Sequence, residues 1–302
     1  MANANTRMNL SAGIASSSVA LTLVALKLWA LGDTNALSVA ASLADSAMDL
    51  MVSLGGLAAI IYAARPADED HAFGHSSAED MAALGQSLFI LVAAGIIGWA
   101  SVGRLLSSDP VELSQQGRGM IVMGVSIALT LALVTWQRYV ARRTGNKVVA
   151  ADSLHYLGDL LPNIGAILSL WASAALGLTS IDSIVAIGAA ILLAVGAVRI
   201  FKGAFDALMD RTTDPELVEK ISALVAEFPG VHGHHDLKTR SAGSVTFVNL
   251  HIELDGSQTL DEAHAIGAAL RRKILTTFPG TDVLIHKDPV GVEPHPEDPS
   301  RA

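Results

Sequence analysis

Six apolar stretches dominate this chain, at about 10–31, 36–64, 82–106, 117–140, 148–176 and 183–205. Each approaches or exceeds the roughly 20 residues a helix needs to cross the hydrocarbon of a bilayer. Inside that hydrocarbon only helices and closed barrels satisfy every backbone polar group. The lengths therefore predict an α-helical membrane protein with six transmembrane helices. Composition agrees: 16% of residues are charged, where a soluble domain carries about a quarter. The net charge of −9 argues against a nucleic-acid partner, which requires a basic stripe. Membrane lipid is the surrounding partner instead.

Basic residues set the predicted orientation. Arg7, Arg65, Arg138, Arg142, Arg143, Lys147, Lys202 and Arg211 all fall on one side. The loops at Asp33 and Asp182 have none, and the loop between helices three and four is flanked only by Arg104 and Arg118. The positive-inside rule then puts both termini in the cytoplasm, as an even number of spans requires. The polar N-terminus lacks a cleavable-signal layout, so the first helix is expected to stay.

Beyond Arg211 the sequence becomes that of a small α+β domain. Asp214-Pro215 opens a helix to about Phe228, with an N-cap and a proline at the first helical position. Stretches 234–240 and 245–254 read as strands. Thr259 to Glu262 forms a capping box for a helix ending near Phe278, and 282–287 reads as a last strand. The order is αββαβ. The expected domains are a six-helix membrane domain over 1–208, a cytoplasmic domain over 209–290 and a disordered tail over 291–302.

Ionisable residues in the apolar stretches define the chemistry. Asp45 and Asp49 are four residues apart on the second, and His155 and Asp159 on the fifth. Four residues is about one helical turn, so each pair shares a face. An ionisable group at bilayer depth costs at least a few kcal/mol and is a functional candidate by default. If the two helices pack together, four ligands close into a tetrahedral cage suited to Zn²⁺. Three carboxylates and an imidazole over-neutralise a dication, so metal entry must release protons. Interhelical salt bridges are the competing reading, but the fifth helix has no basic residue to balance the aspartates. Pro162 would free a backbone carbonyl near the cluster.

Two further groups have ligand character. Asp68, His71 and His75 lie between helices two and three with a spacing compatible with one metal. A solvated acidic loop would look the same. In the soluble domain His235, His251, His264, His286 and Asp288 sit at strand and helix ends, with His232 and His234 nearby. Singly, each would be an ordinary surface histidine; together they suit a first-row metal. The chain has no cysteine, which excludes thiolate sites.

These motifs resemble those of the cation diffusion facilitator family. Helix two resembles its aspartate signature and helix five its His-x-x-x-Asp signature. The segments Arg65 to His75, His235 to Arg240, Phe278 to Gly280 and Ile285 to Pro289 resemble its bacterial zinc and ferrous-iron efflux branch. The resemblance spans about residues 10–290. It implies a homodimer in the bacterial inner membrane, a ferredoxin-like cytoplasmic domain, and export of Zn²⁺ or a related dication in exchange for protons. It also implies a transport site at Asp45, Asp49, His155 and Asp159 and a loop site at Asp68, His71 and His75. A binuclear cytoplasmic site would comprise His235, His251, His286 and Asp288 with His264 alongside. Relatives often have Gly-Lys after the loop histidine, where this chain has Ser76-Ser77, which leaves a lysine-based dimer contact without its lysine.

Zn²⁺ is the expected substrate and regulatory ion, with Fe²⁺, Cd²⁺ and Co²⁺ also suited to this ligand mix. An enzyme is not expected: there is no His-Glu-x-x-His, and four protein ligands leave no place for a substrate water. A membrane-anchored metal-sensing scaffold is the alternative, but it needs no paired ligands on two buried helices.

Overall fold

The computed structural model describes residues 2–34, 37–106, 117–176 and 181–291, with some helical residues, Asp45 and Pro162 among them, described by backbone alone. The expected tail lies almost wholly outside these residues. The chain divides into two compact units, Ala4–Phe205 and one centred on Asp206–Ala302.

The first unit contains α1 (Ala2–Thr34), α2 (Leu37–Ala63), α3 (Ser77–Leu106), α4 (Gly117–Thr144), α5 (Lys147–Leu176) and α6 (Ile181–Leu208, whose last residues belong to the second unit). At about 1.5 Å per residue, even the shortest, with 27 residues, exceeds the hydrocarbon thickness of about 30 Å. Among the described residues, α1, α2, α3 and α6 contain windows long and apolar enough to span. The other two are equally long, but α4 ends in Arg138, Arg142 and Arg143, and α5 carries Asp152, His155 and Asp159. Parts of both lie outside the described side chains. The backbone of α5 continues as helix through Pro162.

α5 is the hub, packing against α2, α3 and α4. It also meets α6 closely: a Cβ on Gly196 would lie 2.8 Å from a Leu154 methyl, so any larger residue there would require Leu154 to shift. The α4–α5 corner turns on Gly145 at φ +70°, a conformation cheap only without a side chain. Asn146 then caps α5, its Oδ1 accepting from the Val149 N–H at 3.0 Å. The same Asn146 donates to Glu79 at 2.7 Å, while Lys147 Nζ donates to Asp80 Oδ1 at 2.7 Å. Asp80 is 1% exposed, so this pairing locks the start of α3 to the start of α5.

The second unit holds α7 (Pro215–Ala226), β1 (Gly233–Ala242), β2 (Val245–Leu254), α8 (Leu260–Thr277) and β3 (Thr281–Pro289). Asp214 Oδ1 accepts from the Glu216 N–H at 3.0 Å, with Pro215 at the first helical position. The Thr259–Glu262 capping box starts α8. Both helices begin where the sequence places them. The sheet order is β1-β2-β3, with β1–β2 antiparallel and β2–β3 parallel.

Period-two alternation in β2 sends Val248, Leu250, Ile252 and Leu254 to one face. There they pack with Ile221 and Val225 of α7, Leu270 and Ile274 of α8, and Val283 of β3. Both helices cover that face, leaving Asn249, His251 and Glu253 on the other. Leu270 is fully buried at the centre of this core. Leu270→Ala is expected to cost the domain about 2 kcal/mol or more, since a large-to-small core change loses transfer energy and leaves a cavity. Hydrogen exchange of the β2 amides in the full-length protein measures it; unchanged protection would contradict this packing.

Candidate metal centres

The first centre lies where α2 and α5 meet. His155 Nε2 is 3.1 Å from Asp49 Oδ1, and ligand atoms of Asp49, His155 and Asp159 all lie within 4.8 Å of one another. A tetrahedral ion bound at about 2.0–2.1 Å places its ligand atoms about 3.3 Å apart. The described donors are therefore gathered to nearly that span. The His155 side chain is 11% exposed and that of Asp49 16%, with the Phe89 ring edge-on to the imidazole at 5.7 Å. Asp45 lies one turn before Asp49 on α2, and its side chain falls outside those described.

The two ends of this centre differ. On one side a cavity of about 60 Å³ is lined by Lys27, Ser46, Asp49, Thr130 and Asp159, among others. Lys27, Ser46 and Asp49 lie in the halves of α1 and α2 nearest the α1–α2 connection, Thr130 lies at the middle of α4, and Asp159 lies just before the middle of α5. On the other side is a buried polar layer. Ser16 Oγ donates to Ser53 Oγ at 2.9 Å, and Ser53 shares a hydrogen bond with Tyr156 Oη at 2.9 Å. Gln137 Nε2 donates to Asp152 Oδ2 at 2.6 Å. Ser16, Ser53, Gln137, Asp152 and Tyr156 are each 5% exposed or less. The layer joins four helices about one turn from the ligands, and Tyr156 also lines the cavity.

The second centre occupies the α2–α3 loop. Asp68 Oδ1 is 3.1 Å from His71 Nδ1, and Asp68 Oδ2 is 3.3 Å from His75 Nε2. The turn is made by Gly74 at φ +82°, whose N–H donates to the His71 carbonyl at 2.9 Å. The His75 side chain is 3% exposed, with Tyr62 edge-on to it. The His71 backbone N–H donates to Asp68 Oδ1 at 2.7 Å and holds that carboxyl below the usual carboxylate range. Asp68 is therefore ionised at neutral pH. Three ligands leave a fourth position for water or another donor.

Strand register builds the third centre. His235 is paired with His251 across the antiparallel ladder, and His251 with His286 across the parallel one. Adjacent strands lie about 4.8 Å apart, so the rings form a row with centroid separations of 5.1 and 4.5 Å. Asp288, two residues after His286 on the same face, uses both oxygens. Oδ2 lies 2.9 Å from His251 Nδ1 and 3.5 Å from His235 Nε2, while Oδ1 lies 3.2 Å from His286 Nε2. The tight convergent group is His235, His251 and Asp288, with His286 at its edge.

His264 stands apart: it is exposed on α8, which covers the opposite face of the sheet. His234 points the other way from His235, as alternation requires, and its Nε2 is 2.8 Å from Ser222 Oγ on α7. His232 precedes the strand. The sequence reading missed Glu253, whose Oε1 is 3.2 Å from His235 Nδ1 and which orients that ring. The signal was present, since Glu253 shares the His251 face of β2. It also missed Asp236, brought within 4.0 Å of His251 Nε2 by a β-bulge at φ +50°.

Long apolar helices around a carboxylate–imidazole cluster, followed by an α+β domain with a second such cluster, are the parts that a membrane transporter of metal cations requires. The family models agree. The cation efflux transmembrane domain matches residues 13–209, and the cation efflux protein cytoplasmic domain matches residues 213–290. The chain belongs to the cation efflux family, whose members are transporters rather than enzymes. It is 38% identical over 283 residues to the cation-efflux pump FieF of Klebsiella pneumoniae subsp. pneumoniae, covering 94% of this chain and 93% of that one. The FieF of Escherichia fergusonii gives the same figures. Among solved structures, the metal-bound C-terminal domain of the CzcD transporter from Thermotoga maritima is 31% identical. That match covers 26% of this chain and 91% of that one, with a TM-score of 0.25.

The His234 imidazole is held below its ordinary value by burial, then by neighbouring His235, against an opposing pull from Glu253. Its sign follows from linkage. Below about pH 6.5 the unfolded chain binds a proton that the folded chain resists, so stability rises with pH in that window. The α7–β1 pairing is expected to be fully protected above that range and to lose protection as pH falls from 6.5 towards the folded value. His234→Gln should flatten this slope in hydrogen exchange on the full-length protein. An equal slope in the variant would assign the effect elsewhere.

Proposed function

We propose that this protein exports divalent cations, Zn²⁺ foremost with Cd²⁺, Fe²⁺ and Co²⁺ as related substrates, from the cytoplasm in exchange for protons. It works as a homodimer in the bacterial inner membrane with both termini cytoplasmic. The membrane domain occupies 1–208 and the metal-binding domain 209–290. The observation that carries this reading is the gathering of Asp49, His155 and Asp159 between transmembrane helices, with Asp45 as fourth ligand.

The cycle follows from the chemistry of these groups. Facing inward, ionised carboxylates and neutral His155 capture the cation. The helices then rearrange so that the centre faces outward, where protons compete for the same atoms and expel the metal. Imidazole titrates near neutral pH, which makes His155 the proton carrier. With the positive-inside orientation, the cavity beside Asp49 and Asp159 opens outward and the Ser16–Ser53–Tyr156 layer closes the cytoplasmic side.

The loop centre and the cytoplasmic centre bind the same class of ion. Asp288, with each oxygen facing different histidines, suits a carboxylate that bridges two metals. Metal held there biases the membrane equilibrium only as far as it binds one state better. Carboxylates with one imidazole suit Zn²⁺, Cd²⁺, Co²⁺ and Fe²⁺ over Mn²⁺.

In proteoliposomes with an imposed pH gradient, Asp49→Ala is expected to abolish both Zn²⁺ flux and metal-dependent proton flux. His251→Ala should lower the apparent affinity while leaving flux at saturating metal. An Asp49→Ala protein that still exchanged metal for protons would overturn the assignment.

A further inference from the structure

Lys27 is a basic side chain within a membrane-spanning helix, and the cation cycle described so far gives it no role. Its Nζ donates to Ser46 Oγ at 2.6 Å, and Ser46 is 1% exposed. Ser46 precedes Asp49 by three residues on α2, so the two share a flank of that helix. Lys27, Ser46, Asp49 and Asp159 line one cavity. The ammonium thus hangs on a flexible four-carbon stem in the same small chamber as the carboxylates of the cage. A lysine at this depth is costly unless charge or water compensates it. The carboxylates have the complementary problem whenever the cation has left.

We propose that Lys27 is a tethered counter-ion that competes with the exported cation from the exit side of the site. This rests on the assignment of Asp49, His155 and Asp159 as the transport site. With metal bound, the ammonium is held off by repulsion and rests on Ser46. As the metal leaves, the ammonium moves towards the vacated carboxylates and neutralises part of their charge. Release is thereby favoured, and recapture from outside is opposed. A lysine suits this task because its compact charge rides on rotatable bonds and, unlike a carboxylate or imidazole, it cannot ligate metal while protonated. Ser46 holds the charge within reach of the site.

The sign of the effect separates this role from a structural one. A residue that merely props up the helices would, when removed, weaken metal binding. A competitor, when removed, tightens it. Cd²⁺ alone is titrated calorimetrically into the purified full-length chain carrying Asp68→Ala and Asp288→Ala, so that the membrane cage is what binds. Mildly alkaline buffer keeps protons from replacing the lost charge. In that background Lys27→Gln is expected to bind Cd²⁺ about tenfold tighter, the scale of one unit charge removed from a partly screened site. It should also export more slowly at saturating metal in proteoliposomes. Lys27→Arg, which keeps the charge, should restore values near those of the parent. Ser46→Ala keeps the ammonium but removes its resting place, and should weaken binding. Unchanged or weaker binding in Lys27→Gln, or tighter binding in Ser46→Ala, would overturn the proposal. Asp49→Ala in the same background is the control: heat that survives it means that the cage assignment has failed, not the role of Lys27.

Discussion

A carboxylate at bilayer depth must be paired, protonated or solvated, because the hydrocarbon offers nothing to replace its hydration. Much of the membrane unit can be understood from that constraint. Asp49 meets His155 at 3.1 Å, and that meeting requires α2 and α5 to touch. α5 in turn must be held on its other flanks, and small residues allow it: Gly196 of α6 admits Leu154, and Gly158 of α5 lies close to Leu193. At the end of the helix, Lys147 against Asp80 and Asn146 against Glu79 fix its start relative to α3. The burial of Asp80 makes that anchor stiff, since removing either partner of a buried ion pair leaves an uncompensated charge. Helix five is thereby held against its neighbours in this arrangement, and His155 with it.

The soluble unit solves the same problem by different means. A sheet can bring distant residues side by side through register alone, and a one-residue slip would turn every ligand to the opposite face. Here the apolar stripe of β2 sets the register by burying Val248, Leu250, Ile252 and Leu254. The histidines on the other face are aligned as a by-product of that burial. The parallel pairing of β3 brings His286 and Asp288 level with His251 and Glu253. The apolar core therefore sets the arrangement of the histidine–carboxylate cluster from the opposite face of the sheet.

Much of this was legible in the sequence because it depends on local spacing. Asp45 with Asp49 and His155 with Asp159 announce shared helix faces, and Asp214-Pro215 and Thr259 to Glu262 announce helix starts. The αββαβ order followed from those signals together with the alternation in β2. What was not legible depends on pairing between elements. Asp236 joins His251 only through a bulge at φ +50°, which no alternation pattern reveals. His264 has the composition of a ligand but lies on the helix layer, across the sheet from the others. The layer of Ser16, Ser53, Gln137, Asp152 and Tyr156 draws on four helices, and none of its hydroxyls stands out in an apolar run. A serine within such a run signals little until its partner is known.

In the proposed cycle that layer would allow the centre to be open on one side at a time. Water admitted to Asp49 and Asp159 would cross the membrane freely unless something closed the far side, and an apolar plug would have to be tight to do so. Hydrogen-bonded hydroxyls, an amide and a carboxyl instead satisfy one another in a dry interior, where such bonds are electrostatically stronger than in water. They also separate at modest net cost when water enters, because water replaces each bond that is lost. A polar closure is thus strong while dry and easily parted once wetted. The proposed cycle requires a seal with this property: closed until solvent arrives from its own side, and then cheap to open.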